Sequence, residues 1–310
     1  MQLLKMKEKQ KMKKVEIKGI IPPIVTPMHE DESINTEELR RQVDRQIENG
    51  AHALFCFGTN GEGYILNGEE KELVLKTVVD QVKGRVPVYA GTGCISTKET
   101  IEQSLMAEAV GADVLSIITP SFAKASQAEL FEHYRRIAEA VDLPIVLYNI
   151  PARTGNALEP ETVAALADID NIVGAKDSSG NFDNLKAYID LTEGKDFSVL
   201  AGNDGLILKC LMAGGTGGIA GRANVYPHTM ASIYNCFAAG DLEGAQRFQD
   251  SVLSFGEVIK LGNPNTIIKK ATALLGYPVG DCRAPFNQLS DEAMEALKKV
   301  LKENQEKGMH

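Results

Sequence analysis

The sequence lacks the cysteine pairs and histidine clusters from which disulfide frameworks and metal sites are built. Its five cysteines are odd in number and form no CxxC pair, and its five histidines include no pair at the spacing of helical metal ligands. These absences exclude a small disulfide-stapled fold and a zinc ribbon. We therefore expect a cytoplasmic protein with reduced thiols and no bound metal ion.

Long apolar runs and an excess of positive charge are also missing. No stretch is long enough to span a bilayer, and the basic start of the chain has no apolar segment typical of a secretory signal. With a formal net charge of -9 at pH 7, most of the surface would repel a polyanion. We therefore expect small-molecule substrates, no nucleic-acid or membrane partner, and a basic, disordered tail over residues 1–18.

From residue 19 onward, short runs rich in Val and Ile alternate with amphipathic segments of helical period. Nearly continuous apolar strands are typical of a parallel sheet that is covered on both faces, and eight such strand–helix units close into a barrel. The candidate strands cover residues 19–25, 53–57, 86–90, 113–118, 144–148, 172–176, 197–201 and 217–220.

Helical patterns follow the strands, for example at residues 36–49, 69–83, 97–110 and 127–141, and three more cover residues 241–261, 263–275 and 290–306. The sequence therefore predicts an α/β fold, a (β/α)8 TIM barrel over residues 19–238 with a C-terminal helical extension that caps it over residues 239–310. A doubly wound open sheet is the alternative. It is disfavoured because no GxGxxG motif follows the first strand, where Pro22 and Pro23 stand instead.

In a barrel of this kind the chemistry lies at the C-terminal ends of the strands. Lys176 ends the sixth candidate strand, so its amine would point into a poorly hydrated barrel mouth. A larger fraction of the amine is neutral in such a place, and the neutral amine is what attacks a ketone to form an imine. The alternative is a lysine that reaches solvent or pairs with Asp177.

Two further features stand at strand ends. Tyr148 closes the fifth strand, and its phenol could pass the protons that imine formation requires, although a tyrosine that merely caps the core is the alternative. Residues 58–62, after the second strand, read GTNGE, and their main-chain N–H groups suit a carboxylate. An ordinary strand-to-helix turn is the alternative there.

Together these motifs resemble the dihydrodipicolinate synthase/N-acetylneuraminate lyase family of pyruvate-dependent class I aldolases. The resemblance is carried by GTNGE at 58–62, YNIPARTG at 148–155 and GAKDSSG at 174–180. It implies that Lys176 forms an imine with pyruvate, or with a 2-oxo acid that is cleaved to pyruvate, so that no separate cofactor is needed. It also implies that Tyr148 shuttles protons with Thr59 as a link, and that the chain assembles as a homotetramer.

The resemblance also assigns residues to substrate binding. Asn60 would hold the pyruvate carboxylate, and the carbonyl of Ile219 would lie near the lysine. Arg153 would bind a carboxylate on the aldehyde, although a solvent-facing turn arginine is the alternative. The complete set is Gly58, Thr59, Asn60, Gly61, Arg153, Gly202, Asn203 and Ile219.

Departures from the family pattern leave the substrate open. Phe122 stands where the synthases of the family carry a tyrosine that relays protons. One hydroxyl of the relay is therefore missing, and we expect a lower rate of the synthase reaction. Asn60 favours a 2-dehydro-3-deoxy sugar acid or 4-hydroxy-2-oxoglutarate aldolase as the alternative to a 4-hydroxy-tetrahydrodipicolinate synthase-like enzyme. Arg222 would either select an acidic tail or face a neighbouring helix. A non-catalytic 2-oxo acid sensor is the alternative from another class.

Overall fold

The structure, a computed structural model, describes residues 15–310, so most of the tail predicted for residues 1–18 lies outside the described residues. The part that is described corrects the prediction. Ile17 is only 5% exposed and packs in a cluster with Ile21 and Phe55. Because a buried apolar side chain holds the main chain in place, the ordered structure begins before residue 19.

Within residues 15–310 the chain forms eight strands, all in parallel pairs. They are β1 (Gly19–Ile21), β2 (Leu54–Cys56), β3 (Val88–Gly91), β4 (Val114–Ile118), β5 (Ile145–Asn149), β6 (Ile172–Asp177), β7 (Ser198–Ala201) and β8 (Gly217–Ile219). The strands begin or end within a few residues of their predicted segments: most are shorter, β5 is shifted by one residue, and β6 is one residue longer. Strand ends are set by ladder hydrogen bonds, which the apolar pattern does not report.

The sheet closes on itself and forms a barrel. The strand order is β1-β8-β7-β6-β5-β4-β3-β2, and β1 meets β2 where the Ile24 N–H donates to the Phe55 carbonyl at 3.0 Å and the Phe55 N–H to the Pro22 carbonyl at 2.9 Å. Inward side chains from the strands, including Tyr89 and Leu200, fill the interior. This confirms the predicted (β/α)8 barrel, because its inward positions form a packed core rather than a pore.

Helices surround the barrel and extend beyond it at the C-terminus. In order they are α1 (Thr36–Glu48), α2 (Gly68–Val82), α3 (Thr97–Val110), α4 (Gln127–Ala140), α5 (Pro151–Thr154), α6 (Pro160–Leu166), α7 (Phe182–Leu191), α8 (Ile207–Met212), α9 (Pro227–Ala238), α10 (Leu242–Ser251), α11 (Leu253–Ile259), α12 (Pro264–Leu274) and α13 (Asp291–Glu306). Short 3-10 turns at Asp204–Leu206 and Gly221–Asn224 follow β7 and β8. Asn and Ser caps, such as Asn67 before α2 and Ser126 before α4, fix where these helices begin.

The C-terminal extension differs from its prediction in one respect. The segment 241–261 was predicted as one helix, and the structure divides it at Val252 into α10 and α11. The Val252 carbonyl accepts a hydrogen bond from the Arg222 guanidinium at 2.9 Å. A side chain from the barrel thus holds the main chain at the break, and the apolar pattern of the segment contains no sign of that contact.

Candidate active site

Lys176 and Tyr148 lie side by side at the mouth of the barrel. They are register partners on β6 and β5, so their side chains emerge together from the same face. Lys176 is 4% exposed, and its Nζ lies 3.7 Å from the centre of the Tyr148 ring and 5.6 Å from that of Phe55. The amine is therefore held among aromatic rings, which agrees with the predicted poorly hydrated position and not with a lysine that reaches solvent.

Asp177 is not the partner of Lys176. Its carboxylate accepts hydrogen bonds from the Asn149 amide at 2.8 Å and from the Ser179 hydroxyl at 2.7 Å. Successive residues of a strand point to opposite faces, so Asp177 faces away from the lysine. The alternative of a Lys176–Asp177 pair is therefore wrong, and a buried amine remains free to face the cavity.

The Tyr148 phenol lies between the amine and two hydroxyl groups. Its oxygen is 3.2 Å from the Thr59 hydroxyl, which places Thr59 where a relay link was predicted. Burial raises the pKa of Tyr148, but the Lys176 ammonium and the hydroxyls of Thr59 and Ser178 outweigh it, so the pKa lies below the ordinary tyrosine value. The phenol is thus positioned to give up a proton more readily than a tyrosine in water.

Gly202, after β7, makes room for the lysine. A β-carbon at this position would lie 2.9 Å from Lys176 Cε and 1.9 Å from Ser178 Oγ, closer than atoms approach without bonding. Any other residue at position 202 would displace the amine or the serine. The role of Gly202 is therefore to leave space, which is one reason for a glycine where another group approaches the backbone closely.

Thr59 and Asn60 of the loop of residues 58–62 line the same cavity. Among residues 15–310, the main-chain N–H groups of Thr59 and Asn60 donate to no protein group, which leaves them free for an anion. Gly58 and Gly61 shape the loop rather than line the cavity next to Lys176. A β-carbon on Gly58 would come within 2.8 Å of the Phe55 ring, and one on Gly61 within 2.8 Å of the Ile24 carbonyl.

Beneath this loop lies a fully buried ion pair. Glu62 and Lys269 of α12 are both 0% exposed and their charged atoms are 2.5 Å apart. The second Glu62 oxygen accepts a hydrogen bond from the main-chain N–H of Arg283 at 2.9 Å. Lys269 also donates to the main-chain carbonyl of Asp281 at 2.9 Å. The loop that ends in Glu62 is therefore anchored to the C-terminal extension by charge-assisted hydrogen bonds in a dry environment.

Asn265, at the start of α12, touches the loop from above. This residue is 2% exposed, donates to the Thr59 carbonyl at 2.8 Å and to the Tyr64 hydroxyl at 3.2 Å, and accepts from the Asn60 amide at 3.1 Å. Asn60 thus lies at the cavity, as predicted, with its side chain oriented by a residue from the C-terminal extension.

These groups surround a cavity of about 240 Å³. Arg153 is exposed at its rim, and Asn203 and Ile219 contribute to its wall, so the structure brings these predicted residues together. The lining residues are Pro23, Thr59, Asn60, Tyr148, Ile150, Arg153, Lys176, Ser178, Gly202, Asn203, Asp204, Ile219, Gly221, Arg222, Ile259, Pro264, Asn265 and Ile268. The cavity is therefore formed by both the barrel and the C-terminal extension.

Arg222 lies in the wall but its charge is compensated. Its Nε is 3.5 Å from an Asp204 oxygen and its Nη1 donates to the Val252 carbonyl. Asp204 also accepts from the main-chain N–H groups of Gly221 and Arg222 at 3.1 and 3.0 Å. Of the two predicted roles, contact with a neighbouring helix is the one the geometry shows, because the guanidinium holds the break before α11.

Phe122 contributes no group to this cavity. Its side chain is 98% exposed and its φ of 76° lies in the left-handed region, which is strained for a bulky residue.

Among residues 15–310 there is no group of three or more His, Cys, Asp or Glu side chains that could hold a metal ion. The same residues include no helix of the length and apolarity that a membrane span requires.

Comparisons with known proteins agree over almost the whole chain. The model of the dihydrodipicolinate synthetase family matches residues 16–304. A 4-hydroxy-tetrahydrodipicolinate synthase from Methanopyrus kandleri is 40% identical over 289 residues, 93% of this chain and 96% of that protein. A dihydrodipicolinate synthase from Thermotoga maritima has a TM-score of 0.90 at 34% identity, over 93% of this chain and 97% of that one. YagE, a prophage protein of the same family from E. coli K12 solved with pyruvate, has a TM-score of 0.90 at 32% identity, over 94% and 99%.

The chain belongs to the dihydrodipicolinate synthetase family. Membership confirms the resemblance that the GTNGE, YNIPARTG and GAKDSSG segments carried. It also confirms the expectation of an enzyme of the lyase class.

Ser178 and Asn265 are polar cavity residues that were not predicted. Ser178 could have been found from the sequence, because residues two apart on a strand share a face and Ser178 follows Lys176 at that spacing. Asn265 could not, since it meets Asn60 across a separation of 205 residues. No local pattern indicates such a contact.

Proposed function

We propose that this chain is a pyruvate-dependent lyase that forms an imine between pyruvate and Lys176. The observation that carries the proposal is the buried Lys176 amine, which has no carboxylate partner on its own strand and lies against the Tyr148 ring. The Lys176 ammonium helps to lower the pKa of Tyr148, and a proton that passes from the ammonium to the phenolate leaves a neutral amine. The neutral amine is the nucleophile that the reaction requires.

The proposed reaction needs only Lys176, Tyr148, the two substrates and water. The Lys176 nitrogen adds to the keto carbon of pyruvate, and the Tyr148 proton passes to the carbinolamine oxygen, which leaves as water. The phenolate then takes a proton from the pyruvate methyl group, so that an enamine forms and the phenol is restored. The enamine carbon adds to the aldehyde carbon while the Tyr148 proton passes to the aldehyde oxygen. Water then hydrolyses the iminium, which releases the product, frees the lysine and returns a proton to Tyr148. The same steps in reverse cleave a 2-oxo acid to pyruvate.

The positions of the other predicted residues around the cavity indicate how each would contribute to substrate binding. The free N–H groups of Thr59 and Asn60 suit the pyruvate carboxylate, because main-chain donors at a strand-to-helix turn stabilise anions. Gly202, Asn203 and Ile219 would contact the remainder of the bound molecule. Gly58 and Gly61 would act through the shape of the loop. The barrel and the extension over residues 239–310 together form one catalytic unit, since both line the cavity.

Arg153 is proposed to bind a carboxylate on the aldehyde, which suits a 4-hydroxy-tetrahydrodipicolinate synthase-like reaction. It is exposed at the rim of the cavity, where a guanidinium can meet an incoming anion. The relative from Methanopyrus kandleri carries that synthase name. If Arg153→Ala leaves the KM for a carboxylated aldehyde unchanged, this role is excluded.

A second candidate is a 2-dehydro-3-deoxy sugar acid or 4-hydroxy-2-oxoglutarate aldolase. The observation in its favour is the set of polar residues that line the cavity near the lysine, where Ser178, Asn203 and Asp204 offer groups that bind hydroxyls. Pyruvate uptake or release, followed across aspartate semialdehyde and a panel of sugar acids, would decide between the two candidates.

The decisive experiment for the proposed function is reductive trapping. The protein is incubated with pyruvate and borohydride and then digested, and the adduct is located by mass spectrometry. We expect one irreversible adduct on the peptide that contains Lys176, and none in Lys176→Met. An adduct elsewhere, or none, would overturn the proposal. An adduct without turnover of any aldehyde or 2-oxo acid would instead identify the non-catalytic sensor.

Assembly as a homotetramer and residence in the cytoplasm are also proposed. Phe122 and Ile95 expose large apolar side chains, 98% and 60% respectively, which a second copy of the chain could cover. All five cysteines are unpaired, which agrees with a reducing compartment. Light scattering of the purified protein would measure the assembly.

A further inference from the structure

Ser178 has an enclosed hydroxyl beside the Lys176 side chain. It follows β6 two residues after Lys176 and lines the same cavity. Its oxygen is shielded from solvent and, among residues 15–310, has no hydrogen-bond partner of good geometry. Enclosed hydroxyls in folded proteins are usually satisfied, so this one calls for an explanation.

The surroundings of Ser178 direct the hydroxyl towards the reacting groups. Gly202 limits it on one side, because a β-carbon there would lie 1.9 Å from the serine oxygen. The same β-carbon would lie 2.9 Å from Lys176 Cε, so the hydroxyl lies beside the Lys176 side chain, and its interaction with Tyr148 helps to lower the pKa of that phenol. The neighbouring Ser179 is different, because its hydroxyl is already bonded to Asp177 at 2.7 Å.

An unsatisfied donor in this position has a chemical use. While Tyr148 is protonated, its oxygen is a weak acceptor and the Ser178 hydroxyl gains little by turning towards it. When Tyr148 has given its proton away, the phenolate becomes a strong acceptor in a site of low dielectric. A donor fixed beforehand where negative charge develops stabilises the transition state without first reorganising.

From this geometry we infer that Ser178 is a positioning residue of the reaction: its hydroxyl donates a hydrogen bond to the Tyr148 oxygen as the phenol releases its proton. Thr59 contacts the same oxygen at 3.2 Å, so Ser178 would be the second hydroxyl to bind the phenol oxygen. No proton leaves Ser178 in this scheme. Tyr148 gives its proton to the departing water and recovers one from the pyruvate methyl group. The inference rests on the proposed function and adds to it a residue that sets the rate.

The inference is tested with Ser178→Ala and Ser178→Cys. We expect Ser178→Ala to lower kcat about 10- to 100-fold, the range for one hydrogen bond to a charged group, with little change in the KM for pyruvate, because the bond is made mainly in the transition state. Ser178→Cys, whose thiol is a weaker donor of similar size, should fall between serine and alanine. The alkaline limb of the pH–rate profile should move to higher pH in Ser178→Ala, because the phenolate has lost a donor.

Ser104→Ala is the matched control. Ser104 is fully buried on α3, where its hydroxyl donates to the Thr100 carbonyl at 2.6 Å, and it lines no part of the cavity. It tests whether loss of a buried hydroxyl alone lowers kcat. Unchanged kcat and an unmoved pH limb in Ser178→Ala would overturn the inference, as would an equal loss of kcat in Ser104→Ala. Trapping of pyruvate on Lys176 in the Ser178→Ala protein keeps the two proposals separate, since the adduct should still form there, more slowly.

Discussion

The cavity has two walls of different origin. One is formed by neighbouring strands, where Lys176 and Tyr148 are register partners on β6 and β5. The other is formed by α12, whose Asn265 and Lys269 reach a loop that lies about two hundred residues earlier in the chain. The strand wall contains the groups that we propose to react, whereas the helical wall holds the loop of residues 58–62, which we propose to bind the carboxylate. Substitutions on the strand wall should therefore affect kcat, and substitutions on the helical wall should affect KM and stability.

The largest effect is expected from Lys176→Met. The substitution removes the proposed nucleophile, so turnover should fall by at least about 10⁴-fold and the borohydride adduct should disappear. Stability should not fall with it, because the amine is buried without a carboxylate on its strand and an apolar side chain suits that place better. Thermal unfolding and turnover, both measured for the wild type and for Lys176→Met, test these two expectations. A variant with full activity would remove the basis of the strand-wall assignment.

Tyr148→Phe should have the next largest effect. Loss of the proton shuttle is expected to cost about 10²- to 10⁴-fold in kcat with the ring still in place over Lys176. The wild-type pH–rate profile should show an ionisation below the ordinary tyrosine value, because the Lys176 ammonium and the neighbouring hydroxyls lower the pKa of Tyr148 against the effect of burial. That ionisation should be absent from the Tyr148→Phe profile. Its persistence there would assign it to another group.

The sequence predicts the strand wall well, for a physical reason. Repeated βα units define a parallel barrel, and a barrel brings the C-terminal ends of its strands to one mouth, so Lys176, Tyr148 and the GTNGE loop had to meet. The helical wall was not predicted at the level of residues. Asn265 and Lys269 are placed by the packing of α12 on the barrel. The sequence pattern of a helix does not indicate which distant residues the helix will contact. The division of α10 from α11 has the same cause, since it depends on Arg222.

Lys269→Met should have its main effect on stability. It leaves Glu62 charged, fully buried and without its ion-pair partner, a change that usually costs about 3–5 kcal/mol. The double variant Glu62→Gln/Lys269→Met should recover much of that loss, because no uncompensated charge remains. Urea unfolding of the single and double variants measures both. Equal stability of the two would show that the pair contributes through packing and not through charge.

Asn265→Ala should have the smallest effect of the four, and it separates the two walls most clearly. The amide holds the Thr59 carbonyl and the Asn60 side chain, so its loss should loosen the two N–H groups proposed to bind the pyruvate carboxylate. Loss of one such interaction corresponds to a rise of about tenfold in the KM for pyruvate. The matched control is Asn304→Ala, since Asn304 is equally buried but bonds to Tyr226, away from the cavity. An equal rise of KM in the control would show that the effect is not specific to the helical wall. A fall in kcat in Asn265→Ala would show that this wall takes part in the reaction itself. Either result would contradict the separate roles assigned to the two walls.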